Sequence, residues 1–315
     1  MFTVAVGAGP ARAQDRCAGP LGLVLSGGGA KGLAHIGVLR VLDSLGIRPD
    51  LVVGTSMGAI VGAMYASGYS GREIDSLTRS LNLSDLFRQY EPRAPEALGD
   101  RQPLILWEEG EGGFTLQRAA VRESEVNGLI NAAMLRGNLR ARGSFDSLAI
   151  PFRAVATDLA TRDRVVLRDG DLAQAVRASM SLPVVFEPER LDGRYLADGA
   201  LVDNVPAATA REEGARHLIV SDATEHLADS ANLASPLVVA EQLLNFLFTQ
   251  PEAPLGPEDR LVRPEVDGFR SLNFSRENVA TLIDRGYQAA RQTLEGYPCA
   301  RAGGPAAAPR RTRVR

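Results

Sequence analysis

"LVVGTSMGAIVG", residues 51 to 62, sets a lone serine between two glycines where an apolar run gives way to small and apolar residues. Leu51 to Val53 have the character of a buried strand, and Met57 to Gly68 the length and composition of a buried helix. Gly54, Thr55, Ser56, Met57 and Gly58 thus match G-x-S-x-G at a strand-to-helix turn, the context that a nucleophile elbow requires. So tight a reversal leaves no room for side chains beside it, which accounts for Gly54 and Gly58. It also lifts the Ser56 hydroxyl to a helix N-terminus, where the dipole and free N–H groups favour developing negative charge. A serine that only caps a glycine-rich helix start fits the same five residues.

Upstream, "LGLVLS" (21 to 26) is a second strand, and "AKGLAHIGVLRVLDSLG" (30 to 46) a helix with Leu39, Leu42 and Leu45 near one face and Gly46 as its stop. Strand, helix, strand, helix predicts a parallel sheet with helices packed on it. Gly27, Gly29 and Gly32 in "SGGGAKG" also match G-x-G-x-x-G after a strand, so a non-hydrolytic dinucleotide-binding protein using the Gly27 to Gly32 loop is an alternative. The acidic residue that should follow at the end of the next strand is missing, since that strand ends in Gly54, Thr55 and Ser56. If the two strands are neighbours, the glycine loop lies at the same carboxyl edge as Ser56, where its amides can form an oxyanion hole.

Beyond these, residues 82 to 125 are irregular and form a flap or insertion, with a hairpin around Gly110, Gly112 and Gly113 that carries Trp107 and Phe114. Regular elements resume with a helix near 124 to 136, strands "FRAVATD" and "RVVL", a helix "DLAQAVRASM", a hairpin "VVFEPERLDGRYLADG" and a buried strand "HLIVSD". An apolar helix, "PLVVAEQLLNFLFTQ", suits core burial or contact with a membrane. A strand near "RLVRPEV" and a helix from 275 to 295 complete the domain, which spans 20 to 297.

A nucleophilic serine needs a base. Of the three histidines, His35 shares a helix face with Leu39 and Leu42 and is expected to be a satisfied, partly buried residue. His217 opens a buried strand, and His226 follows a strand's carboxyl end, where it could complete a Ser56, Asp198, His226 triad of α/β-hydrolase type. Asp198, in a glycine-containing turn, is a carboxylate base if burial raises its basicity. A turn aspartate before glycine is also simply turn chemistry.

"GLVLSGGGAKGLAHIGVL", "GTSMGAIVGAMYASG", "RASMSLPVVFEP" and "DGALVDNVP" together resemble the patatin-like phospholipase family, particularly its bacterial branch. The resemblance implies a three-layer α/β/α fold with a central, mostly parallel sheet. It implies a Ser-Asp dyad of Ser56 and Asp198, with the oxyanion hole at Gly27, Gly28 and Gly29 and with Lys31, Gly32, Gly54, Gly58 and Gly199 as supporting motif positions. Ala200 stands where glycine is frequent. The implied substrates are acyl esters of phospholipids and other lipids, hydrolysed without metal or cofactor and with peripheral membrane contact.

Composition agrees with a globular protein: 315 residues, 45% hydrophobic and 23% charged. A formal net charge of -3 gives no reason to expect a nucleic-acid partner, and no Cys/His cluster has metal-ligand spacing. Residues 1 to 19 have the look of a leader or signal-peptide remnant, and Cys17 and Cys299 could staple the ends of the domain in an oxidising compartment, which favours a periplasmic or secreted location over a cytoplasmic one. Residues 298 to 315 form a basic low-complexity tail whose arginines suit either solvent or anionic lipid.

Overall fold

The computed structural model describes residues 19–86, 106–110, 113–117, 123–183, 185–225, 242, 246 and 254–297. In chain order the strands are β1 (Leu21–Leu25), β2 (Leu51–Thr55), β3 (Leu106–Gly110), β4 (Gly113–Gln117), β5 (Phe152–Asp158), β6 (Arg164–Leu167), β7 (Glu189–Leu191), β8 (Arg194–Asp198), β9 (His217–Ser221) and β10 (Arg260–Val262). Among the described residues β3 and β4 pair with each other, and the other strands join one sheet in the order β10-β9-β1-β2-β5-β8-β7, with β6 on β5. From β10 to β5 the strands run parallel. β6, β7 and β8 are joined antiparallel.

The inner parallel strands β1, β2 and β9 are buried on both faces, so they read as continuous apolar runs rather than alternating ones. Alternation appears instead in which core each side chain enters. Leu23, Leu25 and Val52 point into the larger core, whereas Val24, Val53, Leu218 and Val220 face a smaller one. The larger core is closed by α1 (Ala34–Ser44), α2 (Met57–Ala66), α5 (Glu123–Ala141), α6 (Leu172–Ser179) and α8 (Arg276–Leu294), with α3 (Gly71–Ser80) and the single turn α4 (Leu83–Leu86) outside them. α7 (Ala207–Glu212) covers the smaller core through Ala207 and Ala210. The result is the expected α/β/α sandwich around a mostly parallel sheet.

α1 and α8 cross at backbone contact. A Cβ on Gly37 would lie 2.0 Å from the Ile283 carbonyl oxygen, and one on Gly286 would lie 1.8 Å from that of Ala34. Small residues at this crossing let the last helix press onto the first, with Ile283 and Leu282 fully buried between them and the sheet.

Four features depart from expectation. The first helix does not begin at Ala30: Gly29–Leu33 is a 3-10 turn, and the α-helix starts at Ala34, because Gly28 and Gly29 take left-handed φ angles of 140° and 57° that delay it. The hairpin at 184 to 199 is shorter, its strands starting at Glu189 and turning at Asp192 and Gly193, both at positive φ. α3 begins with a capping box in which Ser70 and Glu73 satisfy each other's backbone N–H groups, and α7 follows Pro206; neither was expected. In the β3–β4 ladder Trp107 opposes Leu116 and Phe114 opposes Glu109. Residues 1 to 18 with Cys17, His226, most of the helix expected at 236 to 250, and Cys299 with the basic tail lie outside the described residues.

Two glycine substitutions test this packing in opposite directions. Gly286→Ala is expected to cost about 1–3 kcal/mol by overpacking. Gly128→Ala, at an exposed α5 position with no atom within 4 Å of the added carbon, is expected to add about 0.5–1 kcal/mol. Denaturant midpoints at constant m would read both.

Candidate active site

β2 ends at Thr55, and the chain swings through Ser56 at φ 54°, ψ -121° into α2. Such an angle is strained for a non-glycine residue and needs a surrounding structure that leaves no alternative. Here that structure is close backbone packing. A Cβ on Gly54 would meet the Gly58 carbonyl oxygen at 2.4 Å, and one on Gly58 would meet those of Leu25 and Ser26 at 2.3 and 2.5 Å. The elbow therefore nests against the end of β1, a close approach that the sequence did not disclose.

β5 sets the partner of Ser56. Val155 is in register with Thr55 of β2, and the next residue, Ala156, is in register with Asp198 of β8. The end of one strand and the end of another thus meet at successive positions along β5. Across this junction Ser56 Oγ donates a hydrogen bond to Asp198 Oδ2 at 2.6 Å. Asp198 is 2% exposed and Ser56 9%. The other carboxylate oxygen, Oδ1, accepts the Ala200 amide at 2.9 Å. Asp198's own amide donates to the Ser181 carbonyl at 3.0 Å, and its carbonyl accepts from Thr157 Oγ1 at 2.8 Å. Gly199 is required next, because a Cβ there would lie 2.2 Å from the Val155 carbonyl oxygen. Burial pushes the Asp198 carboxyl up from 3.8 to about 6, against the opposing effect of the Ser56 and Ala200 hydrogen bonds.

The glycine loop lies at the same carboxyl edge. A Cβ on Gly27 would be 3.3 Å from Ser56 Cβ, and one on Gly32 would be 2.7 Å from Met57 Cβ. The Gly27 amide, expected as an oxyanion donor, is instead committed to the Asn204 carbonyl at 3.2 Å. The amides of Gly28 and Gly29 donate to no acceptor among the described residues. The loop is braced from outside by Ala30 N–H donating to the Ser271 carbonyl at 2.7 Å, and by an ion pair between buried Lys31 and Glu225, whose Oε1 accepts the Gly268 amide at 3.1 Å. Lys31 is therefore a brace of the loop.

The histidines divide in two. His35 is fully buried rather than partly so, with Nε2 2.9 Å from the Ser26 carbonyl and Nδ1 2.7 Å from Ser221 Oγ. The carbonyl can only accept, so Nε2 carries the proton and Nδ1 accepts from the hydroxyl. Burial lowers its pKa to about 4, which keeps it neutral while it supports the strand end that carries the glycine loop. His217 stands at the start of β9, the opposite edge of the sheet, with Nδ1 3.0 Å from Glu258. Neither reaches Ser56.

Sequence reasoning missed several residues that hold the site. Ser179 Oγ accepts the Ser56 amide at 3.0 Å, Thr55 Oγ1 donates to the Asp203 carbonyl at 2.9 Å, and Asn204 Nδ2 donates to Thr224 Oγ1 at 3.1 Å. The quoted motifs "RASMSLPVVFEP" and "DGALVDNVP" contain Ser179, Asp203 and Asn204, so the signal was present without a role attached.

An α/β sandwich with a strained serine elbow, a glycine-rich loop and a buried carboxylate at one carboxyl edge defines a class of site suited to acyl chemistry. The chain belongs to the patatin-like phospholipase family, whose profile matches residues 23–211. It is 29% identical over 304 residues to an uncharacterized NTE family protein of Mycobacterium bovis, covering 88% of this chain and 47% of the relative. A second NTE family protein of that organism is 34% identical, covering 70% and 54%. The patatin-like phospholipase domain-containing protein 7 of Mus musculus is 26% identical, covering 87% and 20%. The chain thus spans about half the length of these mycobacterial relatives and a fifth of the mouse one. Among solved structures, VipD from Legionella pneumophila shares the fold, with a TM-score of 0.50 at 18% identity, covering 88% of this chain and 67% of that one.

The buried carboxylate predicts a stability signature. Its proton affinity is higher in the folded chain, so its favourable contribution is complete below pH 3.8 and is lost as the pH rises through about 6. At pH 8 the ionised group costs roughly 3 kcal/mol. Asp198→Asn is therefore expected to melt above the unsubstituted protein at pH 8, with the gap closing as pH falls towards 4. Thermal melts across that range would read it.

Proposed function

We propose that the chain hydrolyses carboxylic esters of lipids, phospholipids or lysophospholipids, through a Ser56–Asp198 dyad and an acyl-enzyme. The observation that carries this is the 2.6 Å hydrogen bond from Ser56 Oγ to the buried Asp198 carboxylate. A direct bond from the serine hydroxyl to a buried carboxylate, with no histidine between them, supports a dyad in which the carboxylate is the base.

Asp198 takes the Ser56 proton as the oxygen attacks the ester carbonyl. The resulting oxyanion is held by the Gly28 and Gly29 amides, donors typically worth about 3–4 kcal/mol each. As the tetrahedral species collapses, Asp198 returns the proton to the leaving alcohol and the acyl group remains on Ser56. Water then gives a proton to Asp198 and attacks the acyl carbon, and a second collapse restores the Ser56 hydroxyl and frees the fatty acid. Membership of the patatin-like phospholipase family supports the lipid ester as substrate. A base titrating near 6 is still ionised at neutral pH and is stronger than an ordinary aspartate, which suits a hydroxyl donor.

Release of p-nitrophenol from a short ester and of fatty acid from phospholipid vesicles tests the proposal. Ser56→Ala and Asp198→Asn are each expected to lower kcat by about a thousandfold or more with folding retained. In the unsubstituted protein kcat/KM should rise with pH through about 6, because Asp198 must lose its proton to act. Near-normal turnover by Asp198→Asn would place the base elsewhere, with His226 the next candidate.

A further inference from the structure

We propose that the Arg177 to Ser181 segment is a positioning clamp that holds both members of the Ser56–Asp198 pair, with the Ser179 hydroxyl as its working contact. This rests on the dyad proposed above. Ser179, the last residue of α6, is fully buried beneath the elbow. Its Oγ accepts the Ser56 N–H at 3.0 Å and donates to the Val155 carbonyl at 2.5 Å. One hydroxyl therefore ties the strained serine to β5, one residue from the point where β5 registers Asp198. Two residues on, the Ser181 carbonyl accepts the Asp198 N–H at 3.0 Å. The two catalytic groups are thus gripped by residues two apart on one turn, although 142 positions separate them in sequence.

Arg177 stiffens that turn. Its Nη1 donates to Ser181 Oγ at 2.6 Å, and Ser181 Oγ donates back to the Arg177 carbonyl at 2.8 Å. Its Nε donates to Asn127 Oδ1 at 2.8 Å, its Nη2 pairs with Glu123, and the guanidinium lies 4.7 Å from the centre of the Phe186 ring. The side chain is 93% covered and touches neither Ser56 nor Asp198, so its role is positional. Proton transfer and attack both depend on sub-ångström placement of Ser56 Oγ, and a displacement of about 1 Å can cost about a hundredfold in rate.

The test compares Ser179→Thr with Ser179→Val, which have the same shape and differ only in the hydroxyl, on a soluble p-nitrophenyl ester. Ser179→Val is expected to lose about ten- to a hundredfold in kcat with KM within about twofold, and Ser179→Thr to keep most of the activity. A second readout is the acidic limb of kcat/KM. Among the described residues the influences on Asp198 are burial, the Ser56 hydroxyl and the Ala200 amide, with no charged side chain among them. A loosened Ser56 stabilises the carboxylate less, so the limb of Ser179→Val should move to higher pH, which a purely structural loss would not produce. Equal losses in Thr and Val, or an unmoved limb, would overturn the clamp. Should Ser179→Val fail to fold, Arg177→Gln takes its place, with a fall in kcat at constant KM expected and unchanged kcat overturning the proposal. The rate at which a fluorophosphonate labels Ser56 separates the two proposals. Labelling without hydrolysis of any ester sinks the lipid esterase while the Thr and Val labelling rates still decide the clamp, and no labelling at all overturns both.

Discussion

Everything at the carboxyl edge depends on β5 having two neighbours in succession. Its lower part pairs with β2 in parallel, its upper part with β8 in antiparallel, and the changeover falls between Val155 and Ala156. That single change of partner brings the end of β2, just before Ser56, and the end of β8, at Asp198, to the same level. A shift of β8 by one residue along β5 would turn Asp198 to the other face of the sheet. The mixed character of the sheet is thus the condition for a two-residue site, and the parallel half supplies the elbow while the antiparallel half supplies the carboxylate.

The site is built against local preference at several points. Ser56 takes a φ that a non-glycine residue avoids, Gly28 and Gly29 are left-handed, and Asp198 is a carboxylate removed from water. These unfavourable terms are sustained by a core whose strands contribute side chains to both faces, among them the fully buried Leu23, Leu25, Val52 and Val53. Neighbouring polar groups are arranged to limit the expense, as each carboxylate oxygen of Asp198 has one donor and the elbow's own amide has the Ser179 hydroxyl. What remains is a tension between stability and proton affinity that the fold holds in place.

Much of this was legible in the residues. The strands and helices from 21 to 68 announce themselves because buried parallel strands are continuously apolar and because glycine punctuates every tight reversal. Ser56 and Asp198 were found as candidates, and the structure brings them into contact, while His35 and His217 are turned to other work. What escaped had physical reasons. That the Gly27 amide is committed to Asn204 is a contact across 177 positions and has no local signature. α3 carried a clear capping box in Ser70 and Glu73, but its exposed, charged surface lacks the apolar run that draws attention to a helix. Ser179 sits in a motif that was noticed as a string, and its purpose emerges only once β5 and the elbow are placed around it. The 3-10 turn at Gly29–Leu33 similarly reflects the loop's backbone angles more than the helical promise of its sequence.

The crossing of α1 and α8 at Gly37 and Gly286 has a consequence for how the protein comes into being. During synthesis the carboxylate follows the elbow by 142 residues, and the helix that seals α1 follows later still, with Arg276–Leu294. β1, too, acquires its second neighbour only when His217–Ser221 have been made. A nascent chain that has reached only Ser56 therefore has a half-covered sheet and lacks Asp198, and its long-range contacts form late and slowly. The Ser56–Asp198 contact cannot form until residues 56 through 198 have all been made, and the crossing that seals α1 must wait further, for Gly286.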